Sequence, residues 1–314
     1  MAADARLALP VRTAVALTVA GGTLQAVQAR LNGAMEQRVG MLPTSVVSFS
    51  VGLVALVALV AASPVRRRAV PVAVSGGVRW WWRLGGLGGA SVVAVSALGV
   101  PLVGVALVSV CLVAGSTVGS LVVDRFGLGP GSSHHLTPAR LAGAAMAVVA
   151  VGLAGSGRFH SAPFMLFVAL VAAGALGAGQ AAANGRLSVA TGEPVVAALV
   201  NFTVGLLVLA AVTAGAAAAG LLPAPSWPGN PLLYAGGLGG TVFVGVAALT
   251  VRSLGVLRMA LAAVAGQLLG AVGLDLAAPG PGGRLPLATL LGAGLTLLAV
   301  AVAGRGPATA TPAR

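Results

Sequence analysis

Apolar residues dominate the chain in runs of about 16 to 24 residues, which short polar or glycine- and proline-containing segments separate. Because a helix needs about 20 apolar residues to cross the hydrocarbon core, the pattern predicts an all-α integral membrane protein with ten transmembrane helices. A break is expected at Val251–Val256, where Arg252 would be costly in hydrocarbon, and at the equivalent Val100–Val103. The ten predicted spans are Thr13–Leu31, Pro43–Ala62, Leu84–Gly99, Gly104–Val123, Arg140–Gly155, Phe164–Ala183, Val195–Ala218, Leu232–Thr250, Leu257–Leu274 and Leu285–Ala303.

The pattern of polar and small residues in the first half of the chain recurs in the second half. The stretch from Gln28 to Gly52 is repeated from Gln180 to Gly205, with one extra residue in the second copy. Self-similarity at a fixed period indicates a duplicated architecture. Further matches at a similar offset are Asn32 with Asn184, Phe49 with Phe202, Gly85–Gly89 with Gly236–Gly240, Gly115 with Gly266, Gly119 with Gly270 and Asp124 with Asp275.

The duplication predicts two five-helix units, residues 1–157 and residues 158–314. Arginines in short loops mark the cytoplasmic side of a membrane protein. With the N-terminus in the cytoplasm, 14 of the 18 arginines face inward, which predicts that both termini are cytoplasmic. Because five is an odd number of crossings, the second unit must enter the membrane from the opposite side. Inverted repeats of this kind recur in secondary transporters, with the substrate site near the bilayer midplane. The four outward arginines are Arg30, Arg38, Arg158 and Arg284.

The composition supports a membrane location and excludes several other classes of protein. Only 7% of residues are charged and the mean hydropathy is +1.03, whereas soluble proteins carry about 25% charged residues. The net charge of +13 comes from arginines that lie mostly between apolar runs, so it indicates membrane topology and not a nucleic-acid surface. The single cysteine, Cys111, allows no internal disulfide. The expected partners are the lipid bilayer and a small-molecule substrate; a homodimer stays open.

Ser63–Arg83 is the longest predicted cytoplasmic connection. It carries the arginines of Arg66–Arg68 and the tryptophans of Trp80–Trp82. These residues favour a positive-inside anchor with an aromatic interfacial belt. Recognition of anionic lipid is the alternative.

Duplicated amide side chains are the main candidates for chemistry. Gln28 and Asn32 lie four residues apart and so share a helix face, as do Gln180 and Asn184. Amides in hydrocarbon need partners, which are either neighbouring helices or a solute. The sequence therefore leaves two hypotheses, interhelical hydrogen bonding and a polar pathway. The candidate pathway residues are Gln28, Asn32, Ser48, Gln180, Asn184, Asn201 and Gln267, the last of which corresponds to Ser116.

Asp124 and Asp275 end the fourth and ninth predicted spans, at opposite faces of the membrane. A carboxylate there could gate or couple transport by changing its protonation when it leaves water. Anchoring at the interface or a salt bridge to a nearby arginine is the simpler alternative.

No pattern in the sequence predicts an enzyme, a cofactor or a metal site. The glycine runs lack a following GK[ST] phosphate-loop signature, so they indicate close helix packing. His134, His135 and His160 lie in predicted loops without metal-ligand spacing, and a catalytic triad cannot be placed with them.

The spaced motifs together resemble a known family. G-x5-Q-x3-N-G occurs twice, followed by SFSVG or NFTVG, by GGLGG, and by G-S/Q-x-x-G with a closing aspartate. Over about Ala14–Ala303 the chain resembles the YdcZ-type membrane proteins of the drug/metabolite transporter superfamily, in a fused ten-span form. The resemblance implies a plasma-membrane permease that works by alternating access, and implies no particular substrate. Ser116 stands where the family often has glutamine, and the Phe126–Gly127 pair has no copy after Asp275.

Two functional hypotheses follow. A secondary transporter of a small organic solute would have a polar cavity between the halves, lined by the first, second, sixth and seventh spans. A non-transporting scaffold or partner subunit would have a dry, filled interface there.

Overall fold

The structure is a computed structural model that describes residues 9–129, 137–156, 162–222, 224–279 and 285–303, with the backbone alone at positions 248, 251, 252 and 255–258. His134, His135, His160, Arg6, Arg158, Arg284, Arg305 and Arg314 lie outside the described residues. The described residues form helices joined by turns and short connections. The helices are α1 (Val11–Val39), α2 (Met41–Ala61), α3 (Pro64–Val74), α4 (Gly85–Val103), α5 (Val105–Arg125), α6 (Pro138–Gly155), α7 (Phe164–Thr191), α8 (Pro194–Ala218), α9 (Gly236–Ala277) and α10 (Leu287–Ala303).

The described helices include many that are apolar enough to cross a bilayer. Among the described residues, seven segments qualify by length and composition, and two shorter helices are apolar as well. α1, with 29 residues, falls outside both groups because polar and charged residues interrupt its apolar sequence. The seven segments are Met41–Ala61, Trp80–Val103, Val105–Arg125, Pro138–Gly155, Phe164–Thr191, Pro194–Ala218 and Met259–Ala277; the shorter two are Pro231–Ala247 and Leu287–Val302.

The connection between α2 and α4 contains structure that the hydrophobic pattern did not predict. α3 has only 11 residues, too few to cross a membrane, and proline occupies its start. A 3₁₀ turn at Trp80–Leu84 then leads into α4. Trp80 is largely exposed, whereas Arg186 of α7 lies over the ring of Trp82 at 5.9 Å. This segment therefore packs on the end of the helix bundle.

The predicted break at Val100–Val103 is wrong in its position. α4 continues through Val103, and a single residue, Gly104, separates it from α5. Gly104 has a φ of 87°, a left-handed backbone conformation that glycine adopts without strain. The chain therefore reverses at the glycine and not at the four apolar residues before it.

The turn predicted at Val251–Val256 falls within α9, in the region where the chain doubles back. α9 is helical over 42 residues, about 63 Å if it were straight. Its first part runs down α1, because Gly236 lies against Asn32 and Thr18 donates a hydrogen bond to Thr250 at 3.0 Å.

The later part of α9 runs back up α1. Thr23 donates to the carbonyl of Gly266 at 3.1 Å, and Arg30 lies 3.6 Å from Asp275. α9 must therefore double back between Thr250 and Gly266. Arg252 stands in α9 where α4 has Pro101, and arginine keeps the backbone N–H for helical hydrogen bonding that proline lacks.

The two halves of the chain are interleaved. α1 of the first half packs along α9 of the second, and α7 of the second half packs on α4 and α5 of the first. Phe49 and Phe202, which are equivalent in the repeat, have ring centroids 4.9 Å apart. Because equivalent residues can touch only near a symmetry axis, a pseudo-twofold axis passes close to these two rings.

Glycines allow the helices from different halves to approach closely. Gly266 faces the backbone carbonyl of Val19, and its repeat equivalent Gly115 faces the carbonyl of Val171 in the same way. A side chain at either glycine would occupy the space of the neighbouring helix backbone. The duplicated glycines thus serve helix packing, as the sequence predicted.

Candidate functional site: a polar cavity between the two halves

A cavity of about 420 Å³ lies between the halves. Its size falls within the usual range for small-molecule sites, about 300 to 1,000 Å³. Helices α1, α2, α4, α5, α7, α8 and α9 contribute to its wall, and α6 and α10 do not. All seven predicted pathway residues line it: Gln28, Asn32, Ser48, Gln180, Asn184, Asn201 and Gln267.

The duplicated amides face glycines of the opposite half. Gln28 lies against Gly239 and Gly240 of α9, and Gln180 lies against Gly88 and Gly89 of α4. Asn32 and Asn184 contact the first glycine of the same two motifs. The GGLGG motifs therefore make room for the amide pairs, which explains why both motifs occur twice.

Some polar atoms of the residues that line the cavity have no hydrogen-bond partner among the described residues. Asn32 Nδ2 donates to Ser48 Oγ at 3.2 Å. Asn201 stands where the repeat would place Ser48, yet its Oδ1 is buried with no hydrogen-bond partner among the described residues. Ser96 Oγ is equally buried and unpartnered there. The two residues are 3% and 5% exposed, and their unpartnered oxygens have almost no accessible surface in this conformation.

Phe49, Phe202 and Phe243 contribute aromatic rings to the cavity wall. Phe49 is 2% exposed and packs on Gly205, and Phe202 packs on Gly52 in the reciprocal way. The rings belong to a wall that is mostly apolar, into which the amides are set.

The wall departs from twofold symmetry at several positions, two of which add a glutamine to one side. Gln25 of α1 has Gly177 as its counterpart, and Gln267 of α9 has Ser116. Thr23 bonds to Gly266, so the two extra glutamines lie on adjoining turns of α1 and α9. The opposite wall, formed by α5 and α7, has small residues at the equivalent places.

The sequence reasoning missed Gln25 and Ser96 as lining residues. Gln25, Gln28 and Asn32 follow the i, i+3, i+7 spacing of one helix face, and this spacing could have identified Gln25. Neither Gln25 nor Ser96 has a polar copy in the other half, so the duplication gave no signal for them.

The predicted gating residue Asp275 lies outside the cavity and joins the two halves. Its carboxylate accepts hydrogen bonds from the N–H groups of Val105 at 3.2 Å and Ala106 at 2.8 Å. These are the first amides of α5, which a helix leaves without internal partners. Arg30 lies 3.6 Å away and also donates to the carbonyl of Ala278 at 2.6 Å. Asp275 is 5% exposed.

Asp124, the counterpart of Asp275, contacts its own half. Its Oδ2 accepts a hydrogen bond from Arg140 Nη1 at 2.8 Å, which joins the end of α5 to the start of α6. Both side chains are partly exposed. The turn that follows α5 is held by Arg186, which donates to the carbonyls of Gly127 and Leu128. Neither aspartate meets the cavity amides.

The electrostatics of the cavity are neutral. Every residue that lines it, all within the part of the chain that the structure describes, is uncharged. Among the described residues no group of three or more histidines, cysteines and acids is placed to hold a metal ion.

These features define a multi-span helical membrane protein whose two homologous halves enclose a neutral, amide-lined cavity. Two segments of the chain, residues 13–153 and 165–303, match the family described as "Putative inner membrane exporter, YdcZ". The chain belongs to this family in a duplicated form, and the resemblance drawn from the motifs is confirmed. Membership in this exporter family indicates a protein of the inner membrane that has a solute substrate. It implies a transporter rather than an enzyme. The chain has no match among the curated proteins compared with it.

Proposed function

We propose that the protein is a secondary transporter that moves a small organic solute across the plasma membrane by alternating access. The observation that carries the proposal is the cavity between the halves, which places the duplicated amides around one space large enough for such a solute. Transporters built from inverted repeats bind substrate at this place, where the halves meet near the midplane.

The proposal includes ten spans in two inverted five-helix repeats, with both termini in the cytoplasm. α1 is long enough, at 29 residues or about 43 Å, to cross the bilayer. The doubling back of α9 divides it into two crossings, equivalent to α4 and α5 of the first half. The excess of arginine on one side supports the orientation.

Burial differs between the two ends of α5, and from this difference we infer an opening of the cavity at one side, where Ser116 lines it. Residues Val105–Gly115 are all buried, whereas Ser116, Thr117 and Ser120 are only half-buried. The arginine count places the half-buried end toward the cytoplasm. In an exporter, this state would load solute from the cytoplasm.

We assign Asp275 to the gate at the opposite, outer end. Its bonds to the start of α5 hold α9 of one half against the first half, next to Arg30. Release of these bonds would let that end open, and Asp124 with Arg140 occupies the equivalent place at the inner end.

The rival hypothesis of a non-transporting scaffold calls for a filled interface between the halves. The cavity disfavours it, because an interface that only holds two halves together gains stability from close packing. The first, second, sixth and seventh spans, which the transporter hypothesis assigned to the lining, correspond to α1, α2, α7 and α8, and all four contribute to the wall.

Flux into proteoliposomes tests transport. Vesicles would be loaded with radiolabelled small amides, alcohols, amines or carboxylates, and efflux would be compared for wild type, Gln28→Ala and Asn184→Ala. We expect at least one solute to leave vesicles that contain the protein faster than protein-free vesicles. Both substitutions should slow this efflux about tenfold, because each removes a hydrogen-bonding group worth about 1 to 3 kcal/mol. The matched control is Thr203→Ala, whose side chain is exposed on α8 and bonds only to its own helix.

Efflux equal to that of protein-free vesicles for the whole panel would refute transport. Unchanged efflux in both amide variants would refute the pathway that we assign to the cavity.

A further inference from the structure

We propose that the cavity selects an uncharged solute that combines a hydrogen-bonding amide or hydroxyl group with an apolar, preferably aromatic, part. This inference rests on the proposed function and names the class of its substrate. It follows from three separate features of the wall: its neutrality, its unpartnered polar atoms and its asymmetry.

The neutrality of the wall disfavours ions. A charged solute that leaves water must find an opposite charge, and no residue lining the cavity offers one. At the outer end, Asp275 and Arg30 are already paired with each other and with helix-end backbone groups. Asp124 is paired with Arg140 in the same manner. An uncharged solute avoids this desolvation cost.

Unpartnered polar atoms on lining residues favour a solute that can form hydrogen bonds once these side chains turn toward it. Asn201 Oδ1 is an acceptor, so it needs an N–H or O–H donor, and Ser96 Oγ can accept or donate. A buried polar atom left without a partner costs about 1 to 3 kcal/mol, so a donor on the solute would be recognised strongly. Neutral amides and alcohols supply donors and acceptors together, which suits the amides and hydroxyls set into a mostly apolar wall.

The asymmetry of the wall orients such a solute. Gln25 and Gln267 place two further amides on the side of α1 and α9. On the opposite side, Gly177 and Ser116 leave space, next to apolar residues of α5. The polar end of the solute should therefore face Gln25 and Gln267. Its apolar part has aromatic partners on both sides, because Phe243 of α9 lines the cavity along with Phe49 and Phe202.

Three probes that share a phenyl ring test the inference: phenylacetamide, which is neutral, phenethylamine, which is a cation at pH 7, and phenylacetate, which is an anion. Binding of each radiolabelled probe to the full-length protein in lipid nanodiscs would be measured at equilibrium. We expect phenylacetamide to bind at least about tenfold more tightly than either ion, because only the ions must be desolvated without a counter-charge.

Substitutions of Asn201 locate the effect. Asn201→Leu should weaken phenylacetamide binding about tenfold, because the leucine offers no acceptor. Asn201→Asp should instead favour phenethylamine, because the new carboxylate supplies a counter-charge. Thr203→Ala, two residues along α8 and exposed, should bind all three probes as wild type does. Size-exclusion profiles would identify any variant that fails to fold, and the wild-type series alone still tests the charge preference.

The outcomes separate this inference from the proposed function. Equal or tighter wild-type binding of either ion, or no binding of phenylacetamide at its solubility limit, would overturn the selectivity that we infer. Flux of a charged solute in proteoliposomes would leave transport standing and overturn the inference. Selective binding of phenylacetamide without flux of any solute would leave the inference standing and refute transport.

Discussion

Asp275 and Asp124 occupy equivalent positions in the two repeats but make different contacts. Asp275 is buried and accepts two backbone hydrogen bonds from the start of α5, in the other half of the chain. A carboxylate at a helix N-terminus also gains from the positive end of the helix dipole. Asp124 is partly exposed and bonds to Arg140, only 16 residues away. The two side chains should therefore differ in how much they stabilise the fold.

Replacing Asp275 by alanine should lower the thermal unfolding midpoint of the purified protein by several degrees. The substitution leaves the amides of Val105 and Ala106 and the Arg30 side chain without their partner, at a cost of about 1 to 3 kcal/mol. Asp124→Ala is the matched control and should cost no more than about 1 kcal/mol, since exposed ion pairs contribute little. Melting of both variants in the same detergent checks this, and equal midpoints would contradict the asymmetry.

Duplication made some site residues predictable and left others hidden. Gln28, Asn32 and their copies stood out because two identical amide pairs in apolar helices are improbable without a shared role. Gln25 and Ser96 have no polar copies, so only the folded chain brings them to the same wall. Asp275 and its partner Val105 are 170 residues apart in the sequence, so local spacing carries no information about their contact.

At the scale of the helices, the hydrophobic pattern located the apolar segments better than their ends. At their C-terminal ends, α1 and α7 each continue eight residues beyond the predicted span, because helical hydrogen bonding does not stop where the apolar run stops. α3 was not predicted, since its 11 residues are too few and too polar for the span criterion. The bend of α9 falls in the region where a turn was predicted, and the backbone stays helical there.

Close contact between α9 and α1 should make Gly266 sensitive to substitution. Gly266→Ala would place a methyl group against the carbonyl of Val19, and overpacking of this kind costs about 1 to 3 kcal/mol. Gly273 lies about two turns further along the same helix, and a methyl group added there would meet open space. Gly273→Ala should keep or slightly raise stability, because alanine favours helix over glycine by about 1 kcal/mol.

Thermal unfolding midpoints of the two glycine variants, measured side by side, test the packing. A midpoint that falls for Gly266→Ala and holds for Gly273→Ala agrees with the structure. Equal effects would mean that α9 does not approach α1 at Gly266.

At the scale of the whole molecule, an inverted repeat makes a strict prediction about topology. A reporter tag fused at the Ala2 end and another inserted after α6 should face opposite compartments, since five crossings separate them. Accessibility of single tags to a membrane-impermeant reagent in intact cells and in inverted vesicles measures this. Tags that report the same compartment would remove the inverted arrangement on which alternating access depends.

The sequence predicted two homologous units, and the match of two segments to one family agrees with them. The boundary at residues 157 and 158 falls outside the described residues and stays a prediction. The interleaving of the halves was not predicted, because a repeat reveals which residues are equivalent and not which residues touch. Contacts in the folded chain, such as those of α1 with α9 and of α7 with α4 and α5, establish the interleaving.

The packing of α1 on α9 also bears on how the chain is made. Ribosomes add about 5 to 20 residues each second, so α1 enters the membrane many seconds before its main packing partner exists. During that interval its amide-bearing face has only lipid, the translocation machinery or chaperones to contact. Native assembly must therefore be a late, post-insertion event, and a truncated product that ends before α9 would be an obvious substrate for membrane proteases.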